Sequence, residues 1–166
     1  GVVATVMSNI GFERHLRHHG IALTRTGVGD RQVVEAMRRI GANLGGEQSG
    51  HIILGDASTT GDGLMAALQV LAALVETGGE ASKVCSVFTA VPQLLHNLRM
   101  PRPVPLDAAP LAAAIQEGER RLGPEGRLLV RKSGTEPVIR IMAEHEDEGL
   151  VALVVEEITR AVHAIQ

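Results

Sequence analysis

Residues 131–140 have the composition of a phosphate-binding hairpin tip. Apolar residues precede them at 128–130 and follow at 138–139 and 141–142, which predicts two strands joined by a loop of Ser, Gly, Thr and Pro. Four cations surround the single acid of this stretch, and they are Arg127, Arg131, Lys132 and Arg140. Because arginine presents a planar fork that matches two phosphate oxygens at once, the pattern predicts a monophosphate clamp.

Small residues complete this tip. Gly134 lets consecutive backbone amides turn toward one point without a side-chain clash, and Ser133 and Thr135 supply short hydroxyl donors. Arg140 falls in the middle of an apolar strand, where a charge without a partner is costly. The alternative interpretation is an ordinary solvated hairpin tip, since such tips are usually polar.

A second polar loop, at residues 45–51, has the residues needed to bind sugar hydroxyls. Glu47, Ser49 and His51 are hydrogen-bonding side chains held between glycines. A carboxylate beside hydroxyl groups recognises a sugar without help from aromatic residues. The same sequence is equally typical of a glycine-rich hairpin turn.

Two aspartates precede predicted helices. For Asp30 and Asp62 the simplest role is to cap backbone amides, although Asp30, in a glycine-rich turn, could also point into a cleft. Residues 61–66 match a dinucleotide-binding pattern, but no buried strand precedes them, so we discount that match.

The histidines do not indicate a metal site. His15, His18 and His19 share one predicted helix without a nearby acid or cysteine, which favours a solvated face. The sequence contains no acid cluster with magnesium-site spacing and no serine beside an evident base. We therefore assign no metal ligand and no catalytic residue within this chain.

Composition excludes several function classes. A net charge of -3 gives no reason to expect nucleic acid or an anionic membrane, and Phe12 and Phe88 are the only aromatic residues, so stacking platforms are missing. The lone Cys85 excludes an internal disulfide and predicts a reducing compartment, with the cytoplasm as the expected location. The apolar run at 64–75 is too short to cross a bilayer and predicts a buried helix.

The elements that position these loops alternate between strand and helix, which predicts an α/β fold. In order, the patterns predict a strand at 2–7, a helix at 12–19, a strand at 21–26, a helix after Asp30, a hairpin at 42–54, the buried helix through about residue 77, a short helix at 83–88 and a strand at 94–100. Four prolines between 101 and 110 then predict a stiff linker. A helix at 111–122, the clamp hairpin, an acidic turn at 144–148 and a helix at 150–165 follow.

Five segments, in order along the chain, resemble the C-terminal half of the α-D-phosphohexomutase superfamily, most closely its phosphoglucosamine mutase branch. They are TVMSN at 5–9, VGDR at 28–31, GEQSGH at 46–51, TTGDG at 59–63 and RKSGTEP at 131–137. The resemblance implies most of the family's third domain, a mixed α/β sandwich, at 1–98, a proline-rich linker at 99–105, and its fourth domain, an α+β fold like that of the TATA-binding protein, at 106–166.

The resemblance also implies roles for the polar loops. The sugar-binding residues would be Glu47, Gln48, Ser49 and His51. The residues that bind the phosphate that is not transferred would be Arg131, Ser133, Gly134, Thr135 and Arg140. A cleft loop would contain Gly29, Asp30 and Arg31. Asp30 and Gln48 depart from the related phosphomannomutases and phosphoglucomutases and favour glucosamine phosphate.

By this resemblance the chain would be the substrate-binding half of an intramolecular phosphotransferase, an isomerase that interconverts glucosamine 6-phosphate and glucosamine 1-phosphate for UDP-N-acetylglucosamine and peptidoglycan precursors. The family's phosphoserine and magnesium-binding aspartates belong to two further domains that nothing here matches, and the chain opens within a strand. We therefore expect an inactive fragment whose partners are a phosphosugar and those N-terminal domains, and whose parent uses Mg²⁺ and glucose or glucosamine 1,6-bisphosphate. The alternatives are a phosphomannomutase or phosphoglucomutase fragment, a non-catalytic phosphosugar-binding module, or a purely structural domain.

Overall fold

The computed structural model describes residues 1–102, 104–134 and 136–165. The chain divides into two units, residues 1–90 and 91–166, and each contains its own sheet. The elements of the first unit are β1 (Val2–Thr5), α1 (Ile10–His18), β2 (Leu23–Thr26), α2 (Asp30–Ile40), β3 (Leu44–Gly46), β4 (Ile52–Leu54), α3 (Gly63–Thr77) and α4 (Ala81–Val84).

The first sheet has the strand order β2-β1-β3-β4. Strands β1, β2 and β3 are parallel, whereas β4 returns antiparallel to β3. Parallel neighbours need a crossover connection, and α1 and α2 supply the two that are required. The predicted alternation of strands and helices, followed by a hairpin, is confirmed.

Helix α2 packs on one face of this sheet. Its residues Val33 and Met37 are buried against Val3 and Ile53. Gly45 permits this close approach, because a Cβ atom there would lie 2.6 Å from the sulfur of Met37. The helix therefore fixes the position of β3, the strand that leads into the predicted sugar-binding loop.

The prediction that α3 is buried is wrong. Leu64 is 80% exposed, Leu68 60% and Val75 83%, and Ala66 is the one buried residue of this helix. Apolar composition shows that a surface is suited to burial, but not which element covers it. Within the described residues nothing covers this stripe.

The two aspartates differ at their helices. Asp62 caps α3 as predicted, since its Oδ1 atom accepts hydrogen bonds from the backbone N–H groups of Leu64 and Met65 at 2.9 and 3.1 Å. Asp30 is not the N-cap of α2, because Gly29, with φ of 129°, occupies that position. Asp30 is the first helical residue, and its Oδ1 atom accepts from the N–H of Arg31 at 2.7 Å.

The second unit is an antiparallel sheet covered by two helices. Its elements are β5 (Gln93–Arg99), α5 (Ala109–Leu122), a 3₁₀ turn (Gly123–Glu125), β6 (Arg127–Lys132), β7 (Val138–Glu144) and α6 (Glu148–His163). The strand order is β5-β7-β6, with both pairs antiparallel. The predicted hairpin and closing helix are confirmed.

The core of the second unit lies between the helices and one face of the sheet. Its buried apolar residues are Leu98, Met100, Val104, Leu111, Leu122, Ile139, Ile141, Ala143, Val151, Val154, Val155, Ile158 and Val162. Gly118 of α5 allows the close packing, because an added Cβ would lie 2.9 Å from Val154. Since alternate residues of β7 face this core, the intervening ones face away from the helices.

The division between the units differs from the predicted one. The sequence assigned residues up to 98 to the first domain and the boundary to 99–105, whereas the contacts divide the chain after Ala90. The reason is β5, which pairs with β7 from Gln93 opposite Glu144 to Arg99 opposite Val138. The proline-rich segment therefore follows the first strand of the second unit.

Glu144 is not part of a solvated acidic turn, as the sequence suggested. It ends β7, is fully buried, and its Oε1 atom accepts a hydrogen bond of 2.7 Å from Gln93. The Nε atom of Arg127 lies 3.1 Å from its Oε2 atom. Burial of a carboxylate requires such a partner, so this contact explains the placement of Arg127 at the start of β6.

Helices α5 and α6 are also joined by charge. Glu117 accepts hydrogen bonds of 2.7 Å from both Arg120 and Arg121, and Arg121 reaches across to Glu157 at 3.0 Å. Among the described residues, no helix is long and apolar enough to cross a membrane.

We predict a pH-dependent stability contribution from Glu117. Hydrogen bonds from Arg120 and then Arg121 lower the pKa of Glu117 from 4.5 to about 2. Because the folded pKa lies below the ordinary value, the stabilisation is present above pH 4.5 and is lost as the pH falls toward 2. Glu117→Gln should lower the midpoint of thermal unfolding at pH 7, and the difference from the native chain should shrink between pH 4.5 and 2.

The matched control is Glu119→Gln, an exposed glutamate of the same helix with no ion pair to another described residue. It should leave the unfolding midpoint unchanged at every pH. A constant difference between Glu117→Gln and the native chain across this pH range would contradict the assignment.

Candidate functional site

Three loops of the first unit meet at one edge of its sheet. They follow the carboxyl ends of the parallel strands β1, β2 and β3, which is where ligands bind in open α/β sheets. Arg25 of β2 fixes the first of these loops by donating to the carbonyl oxygens of Ser8 and Thr5 at 2.7 and 3.3 Å. Its guanidinium is itself held by Glu13 at 2.9 Å.

The loop after β3 brings the predicted sugar-binding residues together. The N–H of Glu47 donates to the carbonyl of His51 at 2.8 Å, and the N–H of Gly50 donates to the carbonyl of Glu47 at 3.1 Å. Gly50 has φ of 96°, a conformation that favours glycine. Across this turn the hydroxyl of Ser49 lies 3.1 Å from Nδ1 of His51, so both side chains are available at one exposed surface.

Glu47 connects this loop to the predicted cleft loop. Its Oε2 atom accepts a hydrogen bond of 3.3 Å from the N–H of Gly29, at the start of α2. Arg31 is turned along the helix instead, where Glu35 lies 2.8 Å from its Nε atom and raises the pKa of the guanidinium, chiefly by this hydrogen bond. Gln48 is exposed.

A pocket of about 370 Å³ lies below this edge, on the face of the sheet opposite α2. Its walls are apolar and include Phe12, Leu44, Ile52 and Phe88, whose rings and aliphatic groups offer no hydrogen-bond donors. Glu47 and Gln48 of the loop also line it. Any polar recognition here therefore depends on the loop side chains and not on the apolar walls.

In the second unit, the register of the hairpin places two arginines side by side. Arg131 of β6 lies directly opposite Arg140 of β7, and Asn97 of β5 lies opposite Arg140 on its other side. Residues directly opposite in an antiparallel pair project from the same face. Ile139 and Ile141 face the helices, so this polar row lies on the opposite face of the sheet.

The arginine pair has buried hydrogen-bond donors that the described residues do not satisfy. The Nε atoms of Arg131 and Arg140 are both buried, and neither has a hydrogen-bond partner among the described residues. Burial, and then the charge of Arg140, lower the pKa of the Arg131 guanidinium. Two like charges opposite each other in a sheet are destabilising, and an anion placed between them would remove this cost.

The tip of the hairpin is closed by its own backbone. The N–H of Ser133 donates to the carbonyl of Val138 at 2.8 Å, and the N–H of Val138 donates to the carbonyl of Glu136 at 2.8 Å. Thr135, a predicted phosphate ligand, lies outside the described residues. Ser133 and Gly134 remain at the tip, beside the arginine row.

Gly134 differs from the expectation in one respect. Its φ is not positive, and a Cβ added there would meet nothing within 4 Å. The folded chain itself therefore does not require glycine at this position. The open space beside the backbone is a property that a ligand could use.

Of the four cations counted in the sequence, the structure pairs Arg127 with Glu144 at the far end of the sheet and places Arg131, Lys132 and Arg140 near the tip. Asn97 adjoins the candidate site, and the sequence analysis did not single it out. Its signal was an amide beside His96 in a strand otherwise made of leucines at 94–98, but only the register shows that it adjoins Arg140.

Two family models cover most of the chain. The model described as phosphoglucomutase/phosphomannomutase, alpha/beta/alpha domain III, matches residues 1–91, and the model of the C-terminal domain of the same enzymes matches residues 95–161. The chain belongs to the phosphoglucomutase/phosphomannomutase family. The resemblance seen in the five motifs is thereby confirmed.

Curated relatives in this family are phosphoglucosamine mutases. The protein from Rhodospirillum centenum is 62% identical over 167 residues, and the match covers 99% of this chain but 35% of that protein. The protein from Rhodospirillum rubrum is 62% identical over 162 residues, covering 95% of this chain and 36% of that protein. The chain thus spans about a third of the length of these relatives.

Solved structures of the superfamily share the fold. N-acetylphosphoglucosamine mutase from Aspergillus fumigatus, in complex with GlcNAc-6P and magnesium, has a TM-score of 0.78 at 20% identity and covers 98% of this chain and 41% of that one. An N-acetylglucosamine-phosphate mutase in its substrate complex has a TM-score of 0.79 at 19% identity. The match covers 98% of this chain and 38% of that one. The predicted mixed α/β architecture is therefore confirmed for this family member.

We predict that Glu47 couples the two loops at the edge of the first sheet. Glu47→Ala removes the acceptor of the Gly29 N–H, so hydrogen exchange at that amide should accelerate about fivefold, as expected for a net loss of about 1 kcal/mol. Gln48→Ala, at the exposed neighbouring position, is the control and should leave Gly29 unchanged. Equal exchange rates at Gly29 in the native chain and in Glu47→Ala would show that the coupling is absent.

Proposed function

We propose that this chain is the part of a phosphoglucosamine mutase that binds the phosphosugar substrate. The enzyme would interconvert glucosamine 6-phosphate and glucosamine 1-phosphate in the cytoplasm. Identity of about 60% to phosphoglucosamine mutases supports this choice within the family. The lone, exposed Cys85 is in keeping with a reducing compartment.

The observation that carries the proposal is the arginine pair with buried, unpartnered Nε atoms. A phosphate monoester is a dianion at neutral pH and has three strong acceptor oxygens. Bound between Arg131 and Arg140, the phosphate would neutralise both guanidinium groups and accept hydrogen bonds from their buried Nε–H groups. Ser133, Gly134 and Thr135 would complete the phosphate loop with hydroxyl and backbone donors.

The first unit supplies the complementary chemistry. Glu47, Ser49 and His51 present a carboxylate, a hydroxyl and an imidazole on one exposed turn, which is a donor and acceptor set suited to sugar hydroxyls and an amino group. Gln48 extends this set. The hydrogen bond from Gly29 to Glu47 suggests that the cleft loop, with Asp30 and Arg31, responds to a ligand at the same edge.

The described residues do not fit a magnesium ion. They contain no group of three or more His, Cys, Asp or Glu side chains arranged to hold a metal, so we assign no step through magnesium to this chain. Its contribution would be to bind and orient the phosphosugar, including a hexose 1,6-bisphosphate, for phosphoryl transfer by groups in the rest of the enzyme. Orientation of this kind lowers the barrier without any covalent chemistry from the residues that bind.

Titration of this chain with glucosamine 6-phosphate tests the proposal. Backbone amide resonances of Gly134 and Gly50 should shift in a saturable way, with a Kd of roughly millimolar because only part of the enzyme's binding surface is present. Inorganic phosphate should shift Gly134 alone. If neither ligand shifts the Gly134 resonance, the proposal is contradicted.

We predict that Arg131→Ala abolishes most of this binding. Loss of a charged hydrogen-bond donor costs about 2 kcal/mol, which weakens affinity about 30-fold. Arg160→Ala removes an equal charge from the exposed face of α6, where Arg160 faces Glu156 at 3.8 Å, and should leave affinity unchanged. Equal affinities of Arg131→Ala and the native chain would show that the arginine pair is not the phosphate site.

We predict that Gly134→Ala separates folding from binding. The added methyl group meets nothing within 4 Å, so the unfolding free energy should change by less than about 0.5 kcal/mol. A phosphate seated against the tip needs that space, and affinity should fall about tenfold, or about 1.4 kcal/mol. Gly63→Ala, another glycine with no atom within 4 Å of the added Cβ, serves as control, and unaltered phosphate affinity in Gly134→Ala would contradict this placement.

A further inference from the structure

Glu136 is the one acid in contact with the arginine pair among the described residues. Its Oε2 atom lies 3.7 Å from an Nη atom of Arg140, and the side chains of Arg140 and Glu136 are 34% and 50% exposed. This separation is too long for a hydrogen bond, so the attraction is an ion pair without a fixed geometry. Arg131 contacts no acid within the described part of the chain.

The carboxylate of Glu136 is not needed to hold the loop. The backbone of the tip is closed by the bonds from Ser133 to Val138 and from Val138 to the carbonyl of Glu136. The N–H of Met100 also anchors the carbonyl of Pro137 at 2.8 Å. The side chain of Glu136 can therefore leave Arg140 for water without breaking a backbone hydrogen bond.

Release of this side chain is also inexpensive. An exposed ion pair contributes between about 0.2 and 1 kcal/mol, because water solvates the separated charges almost as well. A phosphate that bridges Arg131 and Arg140 makes charged hydrogen bonds to buried donors, and these are considerably stronger. The exchange of carboxylate for phosphate is therefore favourable. The net free energy of phosphate binding is nevertheless smaller, because the ion pair between Glu136 and Arg140 must first be broken.

We infer that Glu136 is an internal counter-ion that occupies Arg140 until phosphate displaces it, and so sets how firmly the loop holds its ligand. This inference rests on the proposed function, since it describes the same phosphate site. Arg131 and Arg140 contribute two positive charges and Glu136 one negative charge, so these three side chains together carry a net charge of +1. A bound dianion balances both arginines once the carboxylate has moved into solvent.

Binding of inorganic phosphate to the native chain and to Glu136→Gln tests this role, with the Gly134 amide and the arginine Nε–H resonances as readouts. Glu136→Gln should bind phosphate up to about fivefold more tightly, the factor that corresponds to the upper value for an exposed ion pair. Glu119→Gln changes the net charge equally on the exposed surface of α5 and should have no effect. The backbone amide spectrum without phosphate confirms that the variants fold alike.

A double-mutant cycle separates displacement from general repulsion. If Glu136 acts as the counter-ion of Arg140, Glu136→Gln should give no gain in an Arg140→Gln background. If Arg140→Gln does not fold, Arg140→Lys provides the same comparison with the charge retained. In that background Glu136→Gln should raise the phosphate affinity by less than it does in the native chain.

The outcomes are distinct. If the native chain binds phosphate, three results would each overturn the counter-ion role and leave the proposed function standing. They are no gain in phosphate affinity in Glu136→Gln, an equal gain in Glu119→Gln, and a gain in Glu136→Gln that persists undiminished when Arg140 is replaced. Failure of the native chain and of Glu136→Gln to bind phosphate at all would overturn the proposed function, and this inference with it.

Discussion

The apolar core between the helices and the sheet of the second unit is the constraint that keeps Arg131 opposite Arg140. Two guanidinium groups on adjacent strands repel each other, and burial of their Nε atoms adds to the cost. The opposite face of the sheet enforces the arrangement. Ile139 and Ile141 are buried against the helices, and a one-residue slip of β7 would move them to the face away from the helices. The free energy of the hydrophobic core therefore holds the charges where an anion can use them.

The first unit uses packing in the same way. Val33 and Met37 of α2 are seated on β3 through the space left by Gly45, which fixes the strand that leads into residues 47–51. Because β1, β2 and β3 are parallel, their following loops share one edge of the sheet. In both units, apolar contacts on one side of a sheet determine where the polar groups of the candidate sites lie.

Much of this could be predicted from local sequence. Hydrophobic periodicity located the strands and helices, and turn residues located both loops. The predictions that failed concerned residues whose contacts are with residues distant in sequence. Glu144 looked like a solvated acid because Arg127 and Gln93, which bury it, lie far along the chain. Asn97 went unnoticed for the same reason, since register alone sets it beside Arg140. The apolar stripe of α3 predicted burial, but periodicity does not identify the covering surface.

The described residues offer guanidinium, hydroxyl, carboxylate and backbone donors in binding arrangements, but no acid cluster that could hold a metal. Interactions with the part of a substrate that does not react can still accelerate its reaction, because their free energy offsets the entropy lost in orienting the reacting group. A phosphate site that is too strong would also retain the product. In the proposed site, a loosely paired carboxylate beside Arg140 would moderate the affinity for phosphate without disturbing the backbone that shapes the loop.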